Sequence, residues 1–71
     1  MSEKTKDQEF LIQNLIAYLV SYLAEDKKIT IEQAMEMFFA SKFSKKVEDT
    51  ETGYYWESPS YVYEIYKKET E

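Results

Sequence analysis

Apolar positions crowd residues 10–23, FLIQNLIAYLVSYL, where eleven of fourteen are apolar and only Gln13, Asn14 and Ser21 interrupt the run. A helix that covers one side of a core needs an apolar stripe, not an apolar cylinder. The run therefore predicts a helix that is central or shared with another molecule. Asp7 and Glu9 suit the positive end of its dipole, so the helix is expected to start near Lys6 or Asp7 and to run to about Ala24. Glu9, Gln13, Ala17 and Ser21 recur every four residues and mark one narrow wet stripe, with Asn14 beside it.

Residues 25–29 read as a connection. Thr30-Ile31-Glu32-Gln33 then fits a capping box, in which threonine and glutamine satisfy each other's free backbone donors. Ile31, Ala34, Met35, Phe38 and Phe39 follow at helical spacing, predicting a second helix with a core-facing stripe that ends near Ser41 or Lys42. One further turn is expected at residues 43–47, because Phe43 and Val47 are four apart. Asp49-Thr50-Glu51-Thr52-Gly53 is the clearest loop, and its glycine, the single one in the chain, is expected at positive φ. Tyr54-Tyr55-Trp56 reads as an extended segment laid across the helices. Ser58 and Pro59 open a third long helix as N-cap and first helical residue, with Val62, Ile65 and Tyr66 as its apolar stripe. The expected fold is all-α: a small three-helix domain with an aromatic-rich connector between helices two and three. Residues 1–71 form one domain, and residues 1–5 are expected to be disordered.

Composition narrows the chemistry. A chain of 71 residues buries only about 60% of the surface its unfolded form exposes, so a lone monomer is marginal. Disulfides and thiolate metal sites are excluded because cysteine is absent. Histidine is absent too, and with it the commonest zinc ligand and general base. Self-association or a protein partner remains as the means of stabilisation, and a homodimer is expected. The net charge of −5, with nine lysines and no arginine, repels phosphate backbones and argues against nucleic-acid binding by this chain alone. Lys42, Lys45 and Lys46 cluster, but Glu48, Asp49 and Glu51 follow at once. The apolar run falls short of the roughly 20 residues that span a bilayer, and no signal peptide is legible, so no membrane association and a cytoplasmic location are expected.

No constellation supports catalysis, a metal or a cofactor. Residues 48–53 are acidic and end in glycine, but neither calcium-loop register places a glutamate at position 12: Pro59 or Ser60 falls there. Ser41 and Lys45 are four apart, yet lie in a polar stretch where nothing would depress the lysine pKa. Glu25 and Asp26 read as a polar loop and not as a catalytic carboxylate pair. A helix-turn-helix built from the first two helices would present Glu32, Gln33 and Glu36 to DNA. Six of the twelve aromatic residues fall between Tyr54 and Tyr66, a density that suits core packing or a protein interface. Alternation along an extended segment predicts Trp56 as the buried anchor and Tyr55, with Tyr63, as an exposed pair. The expected interface residues are Tyr18, Tyr22, Tyr55 and Tyr63.

The second half also carries a resemblance. Ser41-Lys42-Phe43, then Thr52-Gly53-Tyr54-Tyr55, then SPSYVYEI at residues 58–65 resembles a group of short bacterial proteins without an assigned activity. Their pattern is S-K-x-[YF], a T-G-[LY]-Y turn and S-x-x-Y-[VL]-Y-E-[LI]. This chain departs at the first element, where Phe43 directly follows Lys42. The resemblance spans about residues 31–69 and implies no activity. The functional expectation is a small cytosolic protein–protein interaction module that self-associates or binds a protein partner. The alternative is a toxin-neutralising or regulatory component of a complex, by analogy of size and charge.

Overall fold

The computed structural model describes residues 5–70. Thr5 opens the first helix, so the expected disorder does not extend to it, and residues 1–4 lie outside the described residues. The main elements are α1 (Lys6–Lys27), α2 (Ile31–Ala40), a short α3 (Phe43–Glu48), two single 3-10 turns at Thr50–Thr52 and Tyr54–Trp56, and α4 (Pro59–Thr70). There is no strand among the described residues. The domain is thus all-α, with three longer helices and an aromatic-rich connector after α3.

Local signals place most of these boundaries. Thr5 and Gln8 form a capping box at the start of α1, with Gln8 N–H donating to Thr5 Oγ1 (3.1 Å) and Thr5 N–H to Gln8 Oε1 (2.9 Å). Thr30 and Gln33 repeat this at α2, at 3.1 and 3.0 Å. α1 outruns the expected end at Ala24 by most of a turn. It closes where Lys28 takes a left-handed φ of 57° and Ile29 N–H donates back to Ala24 C=O at 3.0 Å. That reverse bond satisfies a terminal carbonyl and turns the chain toward α2. Ser58 and Pro59 start α4 as expected, with Tyr61 N–H donating to Ser58 Oγ at 3.4 Å.

α1 is the central element and packs against α2, α4 and the second 3-10 turn. Its core face is Ile12, Leu15, Leu19 and Leu23, flanked by Val20 and Ala24. Ala34 and Phe38 from α2, Phe43 and Val47 from α3, and Val62, Tyr63 and Tyr66 from α4 close around it. Phe38, Phe43 and Tyr66 form an aromatic knot, with Tyr66 centroids 5.8 Å from Phe38 and 5.7 Å from Phe43. Lys46 Nζ reaches Glu69 at 2.6 Å and ties α3 to the end of α4. The hydrogen bond to Glu69 holds the lysine pKa above its ordinary value.

Two expectations are corrected. The connector is not extended: Tyr54–Trp56 is a 3-10 turn, in which successive side chains diverge by about 120° and do not alternate. Tyr55 turns inward at 9% exposure, and Trp56 is 71% exposed. The stripe assigned to α2 is also split. Only Ala34 and Phe38 are buried, while Ile31, Met35 and Phe39 stay exposed at 47%, 44% and 47%.

Candidate docking surface

Ile31, Met35 and Phe39 are spaced by four, so they stack on one flank of α2. That flank faces α1 across a groove. Its walls are Ile16, Ala17, Val20 and Ser21 on one side and the three α2 residues on the other, around a depression of about 330 Å³. A second depression of about 390 Å³ continues it toward the start of α1, sharing Gln13, Ile16 and Phe39 and ending between Glu9 and Glu48. The stripe of Gln13, Ala17 and Ser21 that reads as wet in sequence is therefore one wall of the groove. The side chains there are short or neutral, so the wall is low and the groove opens along α1. Phe10, 69% exposed, lies on the same helix one turn before Asn14.

The four tyrosines expected at an interface do not form one exposed patch. Tyr18 is exposed and stands 6.3 Å from the half-buried Tyr22, ring to ring. Tyr22 packs on Tyr63 at 5.6 Å, and Tyr63 stacks on Tyr66 at 5.9 Å, so the rings run from the surface into the core. Tyr63 is buried because it lies one turn before Tyr66 on the inner side of α4, and its hydroxyl donates to Asp26 Oδ2 at 2.9 Å. Burial, reinforced by that hydrogen bond, pushes the Tyr63 pKa well above the ordinary phenol range; burial also raises that of Tyr66. Tyr55 is held by Gln8, whose Nε2 donates to its hydroxyl at 2.9 Å. The exposure expected for Tyr55 and Tyr63 is thus corrected: the folded chain itself covers both.

The remaining candidates resolve into local structure. Ser41 Oγ donates to Phe38 C=O at 2.6 Å, and the hydroxyl serves the end of α2. Asp26 is engaged by Tyr63, beside Glu25 at the mouth of a depression also lined by Tyr22 and Glu64. In the acidic turn, Asp49 Oδ1 accepts from Glu51 N–H at 3.0 Å, and Thr52 Oγ1 donates to Lys46 C=O at 2.6 Å. Among the described residues, no three metal-capable side chains converge and no helix is long and apolar enough to cross a membrane.

Sequence reasoning missed the groove. Its signal was present in the spacing of Ile31, Met35 and Phe39, which are separated from Ala34 and Phe38 by a constant step around the helix. The fold and groove together define a small all-α domain with an open apolar cleft between its first two helices. No protein-family model, curated protein or solved structure matches the chain.

Proposed function

We propose that this chain is a small cytoplasmic protein–protein interaction module without catalytic activity, which pairs with a second copy or binds another protein through the cleft between α1 and α2. The observation that carries this reading is the half-exposed row of Ile31, Met35 and Phe39 beside Ile16, Ala17 and Val20. A contiguous exposed apolar patch on so small a domain marks a contact surface. Tyr18, exposed on α1, is a second candidate contact. A regulatory or toxin-neutralising component of a complex is the second reading, favoured by the net charge of −5, which suits a basic partner.

Sedimentation equilibrium at high micromolar concentration, together with methyl NMR during titration with helical peptides, tests the reading. Either a mass above the 8.5 kDa monomer or shifts at Met35, Ile16 and Ile31 are expected, and Met35→Lys should abolish whichever is seen. Tyr18→Glu reports whether that tyrosine takes part. A strictly monomeric chain with silent groove methyls would refute the proposal.

A further inference from the structure

We infer that the α1–α2 groove receives a cationic amphipathic helix from another protein, in preference to a second copy of this chain. The inference rests on the interaction-module reading and adds the chemistry of the occupant.

The joined depressions run along α1 from Glu9 to Ser21, about 18 Å at the rise of an α-helix, which is room for roughly three helical turns. Ile31, Met35 and Phe39 offer apolar ridges on successive turns of one wall. The small side chains of Ala17 and Ser21 lower the other wall, so a third helix backbone can approach closely. An occupant that fills such a cleft carries apolar residues at i, i+3 or i+4, and i+7. The flexible thioether of Met35 adapts to its side chains.

Charge then selects among helices. Every charged side chain that lines the two depressions is acidic. Glu9 and Glu48 line one mouth of the groove. Glu32 and Glu36, both exposed, follow Ile31 and Met35 by one residue and edge the α2 wall. The flanking lysines, Lys6, Lys27 and Lys28 around the ends of α1 and Lys45 and Lys46 before Glu48 on α3, line neither depression. Two copies meeting face to face through a two-fold axis would set these carboxylate rims against each other. A helix whose apolar stripe is bordered by lysine or arginine meets them with opposite charge.

The test compares two peptides with the same leucine stripe, one completed with lysine and the other with glutamate. The leucine–lysine peptide should shift the methyls of Ile16, Ile31 and Met35, bind more weakly as salt rises, and lose binding to the Met35→Lys chain. Glu32→Lys with Glu36→Lys should weaken binding by roughly tenfold or more. Glu64→Lys should not, because Glu64 lines the separate depression beside Tyr22 and Tyr63. Circular dichroism of each variant separates lost binding from lost fold. Equal binding of the glutamate peptide overturns the inference and leaves the module reading in place. So does a homodimer that Met35→Lys dissociates and neither peptide enters. Shifts confined to Tyr63 and its neighbours also overturn it. A monomer that binds neither peptide removes both the inference and the reading beneath it.

Discussion

Gly53 sits at φ 72°, ψ 9°, closing one 3-10 turn and opening the next. A Cβ built there would meet no atom within 4 Å, so the cost of a side chain is backbone strain alone. Gly53→Ala should lower stability by about 1 kcal/mol and Gly53→Val by more, read from urea midpoints. The following residues reverse the expected roles of two aromatics. Tyr55→Ala should cost about 3 kcal/mol, because it empties a buried site and strands Gln8. Trp56 rests on Tyr55 at 5.2 Å but is otherwise in solvent, so Trp56→Ala should cost no more than about 1 kcal/mol. Its fluorescence should be red-shifted and readily quenched in the folded protein. A blue-shifted, protected emission would show that the connector packs the other way round.

At the scale of the helix, Gln8 joins two elements. Its Oε1 caps α1 through Thr5 and its Nε2 anchors the connector through Tyr55. Gln8→Ala should therefore cost more than Gln33→Ala, which removes only the bond from Thr30 N–H and leaves the backbone of residue 33 donating to Thr30 Oγ1. About 1 kcal/mol or less is expected for the single bond lost in Gln33→Ala and about twice that for the two lost in Gln8→Ala. Equal losses in thermal unfolding would mean that the Tyr55 bond contributes nothing. α2 has two unlike flanks. Ala34 and Phe38 are fully buried, whereas the neighbouring row is half exposed, so the helix holds the core with one side and presents the other.

For the whole molecule, the buried phenols set an alkaline limit. Tyr63 and Tyr66 both have pKa values raised in the folded state, above the ordinary value near 10. Below that value both states hold the proton and the full stability is present. Above it the unfolded chain releases protons that the folded chain retains, so stability falls with rising pH. The expected slope is up to about 1.4 kcal/mol per pH unit for each group. Urea midpoints above pH 10 should drop in the parent chain and drop less in Tyr63→Phe, after allowing about 1 kcal/mol for the lost bond to Asp26. An unchanged slope in that variant would remove Tyr63 as the cause.

Short-range chemistry made much of the architecture legible. Thr30 with Gln33, Ser58 with Pro59, and Gly53 each satisfy or relax the backbone within a few residues, so the chain alone located the start of α2, the start of α4 and the intervening turn. The Thr5–Gln8 box was equally readable, being the same pattern one helix earlier. The apolar run of α1 marked it as central. Only the tertiary structure decided which flanks are covered. A helix with apolar residues on two neighbouring stripes can turn either one inward, and the packing of α2 on α1 chose Ala34 and Phe38 over Ile31, Met35 and Phe39. The aromatic connector was settled in the same way. Whether Tyr55 or Trp56 points inward depends on a 3-10 or an extended backbone. The inward Tyr55 meets core residues and Gln8, and Gln8 lies 47 residues away in the chain.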